Sequence, residues 1–438
     1  MPTPGSTPRT HVTAPAGTRS MLSWAFYDWA NSAFAALIQT FVFAAYFTRS
    51  VAASPAAGTA LWGNTIGGAG VVIALAGPVL GAVADHSGRR KPWLAAFTVL
   101  AVTSTALLWY VRPGPAWVVP ALALVGVGTI GTECASIFYN AMLPALAPPE
   151  RIGRWSGWGW ALGYAGGLAC LAVALLVFIR PAHPPFGLTH ADAAPVRATF
   201  VLTAGWFAVF ALPLLLFTPD APGTGKPLRR AVPDGLRQLG DTLHRVRAYR
   251  HLVRFLAARL LFIDALATIF AFGGIYAAGR FDMNEQQVLL FGIALNLSAG
   301  AGAWAFAWVD DRLGSRLTIV LSLLGLLVAT AAALVARSAT VFWAFGVLLG
   351  VFVGPVQAAS RSWLARTAPP ALRNEMFGLL ALSGKATAFL GPLLVGWVTW
   401  ASGSQRLGLS TVLLFLAGGL LLMLGVPEAG HAPHSPAA

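Results

Sequence analysis

Apolar positions along this 438-residue chain do not alternate, nor do they recur against a polar face. They run continuously for about 20 residues at a time, the length of a bilayer-crossing helix. A transmembrane β-barrel would show in–out alternation instead. The runs predict twelve spans, at 22–48, 59–84, 92–111, 116–146, 155–179, 198–217, 253–278, 287–309, 317–336, 340–365, 374–400 and 407–426. The longest polar stretch, 218–252, divides them six and six. It is rich in Pro, Gly and Arg, and a short amphipathic helix is expected near 234–250. The expected organisation is an arm at 1–21, a six-helix bundle at 22–217, a linker at 218–252, a second bundle at 253–426 and a tail at 427–438.

Composition sharpens this. Charged residues are 10% of the chain and apolar ones 57%, against about 25% charged in an ordinary soluble domain. The fold class expected is therefore all-α and integral to the membrane. The net charge of +14 would point to nucleic acid on a soluble protein, but its distribution says otherwise. With the N-terminus inside, inner segments hold 20 Lys and Arg, outer segments 7, and Arg259 and Lys385 lie within spans. That asymmetry predicts both termini in the cytoplasm and gives the charge a topological role, with no nucleic-acid partner. The arm has no apolar stretch or cleavage site of a signal peptide. Cys134 and Cys170 sit in apolar runs and offer neither a disulfide framework nor a zinc spacing.

The halves repeat. Phe26, Asp28 and Phe34 match Phe262, Asp264 and Phe270 at an offset of 236. The loop at 81–91 matches 307–317 at 226, keeping Asp85/Asp311, Gly88/Gly314 and Arg90/Arg316. Segment 147–149 matches 368–370 at 221, followed by Gly157/Gly378 and Gly163/Gly384. Three matches in one order describe a duplicated six-helix unit in parallel.

The most specific motif is Gly81-x-x-x-Asp85-x-x-Gly88-Arg89-Arg90, where span two leaves the membrane. Gly81 permits close helix approach, and Gly88 permits a tight turn. Asp85 can bond a neighbouring helix N-terminus or an arginine, and the arginines can lock to carboxylates or carbonyls. Asp311, Gly314 and Arg316 form a degenerate second copy, with Ala307 for the Gly and Ser315 for the first Arg. The pattern resembles the signature loop of the major facilitator superfamily. YDWANSAF (27–34), YNAMLP (139–144), GRWSGWGWALGYAGG (153–167), the segment 258–279 and the run from 360 to 392 resemble one branch more closely. That branch is the unknown-major-facilitator family, bacterial relatives of the autophagy-related vacuolar amino-acid effluxer of yeast. The resemblance covers nearly the whole chain. It implies twelve helices in two pseudo-symmetric bundles, a secondary transporter and a bacterial inner-membrane location.

A charge at the bilayer centre costs roughly 2.5–3.5 kcal/mol on insertion scales, so charges there are paired, hydrated or functional. Asp28, Glu133, Arg259, Asp264 and Lys385 occupy spans one, four, seven, seven and eleven. Lys385 is roughly 16 Å into its span at 1.5 Å per residue. Spans three, six, nine and twelve carry no charge; in a major facilitator fold these are peripheral. One reading is a central cavity where a carboxylate carries a proton and a cation holds a substrate carboxylate. The other is a set of structural ion pairs. Asp28 and Asp264, at equivalent repeat positions, are the expected coupling pair, with Asn31 beside them. Asn64, Gln39, Asn140, Asn296 and Gln357 are further polar candidates, either helix-bonding or ligand-binding. Gly159, Gly163 and Gly167, and Gly346, Gly350 and Gly354, form close-packing faces, sliding or static.

All eight His are expected in loops or tails, which argues against a His relay or metal site. Gly384-Lys385 has neither the first Gly nor the Ser/Thr of a phosphate-binding loop. No cofactor is expected, and no enzyme. The function expected is proton-coupled, alternating-access movement of a small polar metabolite, amino acids foremost, by a monomer. The alternatives are efflux of amphipathic toxic compounds and a non-transporting sensor or scaffold on the same fold.

Overall fold

The computed structural model describes residues 17–428 apart from 182, 190, 221, 224–232, 235–236, 238–239, 242–249, 284, 386 and 388–389. Most of the linker with its expected helix, most of the arm, most of the tail and the side chain of Lys385 lie outside the described residues.

The described residues form helices without strands. In the first half these are α1 (Thr18–Ala33), α2 (Pro55–Ser87), α3 (Lys91–Leu107), α4 (Val118–Leu146), α5 (Ile152–Val173) and α6 (Ala194–Phe217). In the second they are α7 (Arg250–Phe281), α8 (Glu285–Leu313), α9 (Ser315–Val335), α10 (Ala339–Thr367), α11 (Arg373–Lys385), α12 (Leu390–Ser402) and α13 (Gln405–Leu424). Wide π-turns prolong α1 to Val51 and α5 to Ile179. Eleven helices among the described residues are long and apolar enough to cross a membrane. The exception is span eleven, which is described as two helices, α11 and α12, with residues 386 and 388–389 between them outside the described residues.

Local chemistry sets the ends. Ser54, Ser338 and Ser404 cap α2, α10 and α13 by accepting from Ala57, Val341 and Leu407 amides. Gly88 (φ +78°) stops α2 and Gly314 (φ +91°) separates α8 from α9, two turns that call for glycine. His86 and His251 are not in loops; they lie in end turns of α2 and α7.

The halves meet along two equivalent crossings, α2 on α11 and α5 on α8. A Cβ on Gly81 would strike the Asn374 backbone, and one on Gly157 would strike Ala303 and Ala307. The face at Gly159, Gly163 and Gly167 packs chiefly on α1, with Arg361 of the second half also against Gly159, and that at Gly346, Gly350 and Gly354 packs on α8 inside its own half. The buried core divides accordingly. One apolar cluster draws on both halves, reaching from the end carrying the 81–91 loop, called the basic end below, along the second half as far as Met283 and Phe342. The other, from Ala33 to Phe200, belongs to the first half alone, at the opposite end.

Candidate functional site

At the basic end, each half caps a helix of the other. Asp85 Oδ1 accepts from the Asn374 amide (3.1 Å) and its Nδ2 (2.7 Å), and Oδ2 from the Glu375 amide (2.9 Å). The carboxylate thus sits on the N-terminus of α11, where the dipole favours an anion. Its repeat mate Asp311 accepts from the Arg154 amide at the start of α5 (3.1 Å) and from Arg366 Nη2 (3.1 Å). Beside it, Asp310 takes Arg366 Nη1 at 2.6 Å, together with the Ser315 and Ser362 hydroxyls.

The motif arginines divide. Arg90 is buried, and its Nε donates across the halves to Asn374 Oδ1 at 3.1 Å. Asp220 accepts from the Arg90 and Lys91 amides at 3.0 and 3.3 Å, capping α3. Burial lowers the Arg90 pKa, opposed by Asp85 and Asp220. Burial first, then Arg90, pushes Arg373 down to about 10, with Asp85 opposing. Arg89 is exposed beside Gly223. Arg316 stays in its own half: its amide donates to Glu428 and its Nη2 to the Leu424 carbonyl (2.7 Å).

Deeper, Arg361 of α10 is the hub. It is one of the 20 Lys and Arg of the inner segments although it falls within the expected span 340–365, and the structure buries it at 4% exposure. Nη1 reaches Asp28 Oδ2 at 3.0 Å and Asn140 Oδ1 at 3.2 Å, Nε the Ser156 hydroxyl at 2.9 Å, and Nη2 the Ser156 carbonyl at 2.6 Å. All four acceptors belong to the first half. The Tyr139 hydroxyl donates to the same Asp28 oxygen at 2.8 Å. Trp24, Tyr139 and Trp160 surround the guanidinium at 5.0, 5.5 and 5.9 Å, within cation–π range. Gly159 makes the room: a Cβ there would lie 2.6 Å from Asp28 Oδ2. Asn140 and Arg361 are themselves related by the offset of 221. That relation was the available signal for Arg361.

The two expected coupling carboxylates are not brought to one partner. Asp264, 2% exposed, turns into its own half and accepts from the Gly391 amide at 3.1 Å. Arg259 does not reach toward solvent. Its Nη1 donates to the Leu380 carbonyl and Ser383 hydroxyl, and it interacts electrostatically with Glu133 of α4. Asn31 accepts weakly from Ser32 (3.5 Å). Gln39 bonds Thr129, Gln357 bonds Tyr164 across the halves, and Asn64 is exposed.

At the opposite end lies a cavity of about 900 Å³. Its wall is mostly apolar, including Phe41, Phe270, Phe291 and Phe342, with Asn296, Thr330 and Arg49 as polar points. Of the charged span residues, Asp28, Glu133, Arg259 and Asp264 do not line it. Asp264 is nearest along the chain, five residues or roughly 7.5 Å before Ile269 in the wall.

Paired helical halves, pinned at one end and parted at the other, define a multi-pass membrane protein with the major facilitator fold. Solved structures agree. The human organic anion transporter MFSD10 superposes with a TM-score of 0.71 at 18% identity, over 93% of this chain and 98% of that one. FucP in its outward conformation gives 0.71 at 12%, over 94% and 98%. A bacterial homologue of the iron transporter ferroportin, outward-facing, gives 0.68 at 16%, over 93% and 98%. A family model described as "Vacuole effluxer Atg22 like" matches residues 69–431, and the chain belongs to that family. It is 27% identical to the uncharacterized MFS-type transporter YxiO of Bacillus subtilis, over 94% of this chain and 95% of that protein. It is 25% identical to autophagy-related protein 22-1 of Phaeosphaeria nodorum, over 79% and 72%.

Proposed function

We propose that this protein is a proton-coupled secondary transporter that moves a small polar metabolite, amino acids foremost, by alternating access. It works as a monomer in a bacterial inner membrane, with both termini and the basic end in the cytoplasm. The observation that carries the reading is the asymmetry of the two ends. Polar cross-half bonds seal the basic end while a cavity opens at the other, which is one of the two states alternating access requires. The gate comprises Gly81, Asp85, Gly88, Arg89 and Arg90 with Asp311, Gly314 and Arg316. Asp28, Asn31, Glu133, Arg259, Asp264 and Lys385 form the coupling and substrate region. One observation favours a second reading, efflux of amphipathic compounds: the cavity wall is largely apolar.

The test uses purified protein in liposomes loaded with a pH-sensitive dye. Pooled amino acids, then other metabolites, then amphipathic cations are added outside. A substrate-dependent pH change that Asp264→Asn lacks supports coupled transport, and the active pool chooses between the readings. Normal flux and pH dependence in Asp264→Asn would remove Asp264 from coupling. If Asp85→Ala reaches the membrane but loses flux, a mere scaffold is excluded. Silence for every pool would favour the scaffold.

A further inference from the structure

The cavity of about 900 Å³ belongs mainly to the second half. Only Thr40, Phe41, Ala45 and Arg49 of its wall come from the first half, all on the extension of α1. The wall also takes in Thr330, Ala333 and Leu334 of α9 and Leu409 of α13, helices expected at the periphery of the fold. The cavity therefore reaches into the second bundle as a pocket. Gly346 lets its aromatic side close up, since a Cβ there would run into the Phe291 ring. That ring lies 5.2 Å from Phe342, which lies 5.8 Å from Tyr276. The Tyr276 hydroxyl donates to the Leu334 carbonyl at 3.3 Å.

Two polar side chains in this wall are incompletely bonded. Asn296 Nδ2 donates to the Gly292 carbonyl one turn back, at 2.8 Å. A carbonyl only accepts, so this contact fixes the amide and leaves Oδ1 as an acceptor. No bond to Oδ1 is made among the described residues. Thr330 is 4% exposed, and its hydroxyl has no hydrogen-bond partner among the described residues. Leaving a buried polar group unpaired is unfavourable, and a ligand that pairs it removes the penalty.

Charge narrows the choice of ligand. Among the described residues of the wall Arg49 is the one charged side chain, and it is exposed. An ammonium would enter with no carboxylate in that wall to meet it, which disfavours a cation. An ionised carboxylate brings only acceptors to Asn296 Oδ1, itself an acceptor. A hydroxyl or an amide N–H is neutral and donates. The volume falls within the range of about 300–1,000 Å³ for drug-sized ligands, whose sites are mostly apolar with a few placed polar groups.

We propose that this pocket binds a neutral amphipathic molecule, an apolar ring-sized body with a hydroxyl or amide head whose donor meets Asn296 Oδ1. The aromatic wall holds the body, Asn296 sets the preference for the head, and Thr330 supplies a second polar point. The inference goes beyond the transport reading, because such binding needs neither a proton nor an open gate.

Four probes with one ring system test it: naphthylethanol, naphthylacetate, naphthylethylamine and ethylnaphthalene. Each is titrated calorimetrically into the full protein in lipid nanodiscs, with empty nanodiscs as the control for partitioning. Naphthylethanol should bind saturably, about tenfold more tightly than each of the others, the scale of one buried hydrogen bond. Asn296→Leu should weaken naphthylethanol by about tenfold and leave ethylnaphthalene within about twofold. A Cβ on Gly273, also in the wall, meets nothing within 4 Å. Gly273→Trp therefore has room to enter the pocket and should weaken every probe bound there. Absence of saturable binding by any probe overturns the pocket, as does binding that Gly273→Trp leaves untouched. Tighter binding of naphthylethylamine, or of naphthylacetate with loss in Arg49→Gln, overturns the neutral head. Equal losses of naphthylethanol and ethylnaphthalene in Asn296→Leu mean that the wall has collapsed, and overturn the role of Asn296. A silent dye assay would sink the transport reading and leave these titrations standing.

Discussion

The two ends of the molecule are built from the same repeated helices and hold together differently. At the basic end, Arg361–Asp28, Asp85 on α11, Asp311 on α5 and Arg90–Asn374 all run from one half to the other. At the opposite end, Gln39 bonds Thr129 and Tyr276 bonds Leu334, each within its own half, and a cavity intervenes. The difference lies in the kind of contact as well as its amount. A polar cross-half bond exchanges with water and nets about 0.5–1.5 kcal/mol. A handful of them sums to several kcal/mol, within reach of a ligand or a proton gradient. They act beside an apolar cluster that also joins the halves there. The polar seal therefore suits an end that must open in turn.

The strongest way to break the comparison is Arg361→Ala. It leaves the Asp28 carboxylate part-buried with no cation beside it, and breaking a buried pair costs about 3–5 kcal/mol. The melting temperature of the purified protein should fall sharply. Cysteines placed near Ser156 should become labelled from the basic end. Arg361→Ala with Asp28→Ala should recover much of the loss, because the orphaned charge goes too. A double variant no better than the single one would mean the pair is not the seal.

A smaller step separates the two repeat-related caps. Asp311 combines a helix cap with ion pairs to Arg154 and Arg366. Asp85 is held chiefly by neutral amides. Asp311→Ala should cost about 2 kcal/mol, as for hydrogen bonds to charged groups. Asp85→Ala should cost about 1 kcal/mol, as for loss of an N-cap. Denaturant or thermal unfolding in detergent measures both. Equal losses would show that the added arginines contribute nothing to the seal.

Much of this was legible in the sequence, and the rest had identifiable reasons for hiding. Continuous apolar runs and three ordered repeats point to the two-bundle fold, and the structure has it. Asp85 on a neighbouring helix N-terminus follows from an acid at a helix end beside a glycine. Arg361 hides because a charge near the end of an apolar run looks like a loop charge. Only the pairing of Asn140 with Arg361 through the repeat marks it as internal. Asp28 and Asp264 look equivalent by position, but equivalence of position did not extend to partners. Asp28 faces the opposite half and Asp264 the amide of Gly391 within its own half, and no periodicity encodes that difference. Asp220 and Glu428, which cap α3 and the start of α9, lie after the last span of each half, outside the three repeat matches.

The last effect, no larger than that of Asp85→Ala, has the opposite sign and so sharpens the comparison most. Arg373 stands at the start of α11 among the groups that seal the basic end, and removing an arginine from a polar seal would ordinarily weaken it. Its Nε has no partner among the described residues. Burial and neighbouring Arg90 push its pKa down to about 10 from 12.5. A base whose folded pKa is depressed destabilises the folded state wherever it is charged in both states. The penalty is thus fully present below about pH 10 and fades between there and 12.5. Arg373→Gln should therefore raise stability, by about 1 kcal/mol on the scale of a buried unsatisfied donor, with the same gain at pH 7 and pH 9. A loss instead would mean that Arg373 closes the seal through its other nitrogens. The basic end would then depend on charge itself rather than on the carboxylate caps.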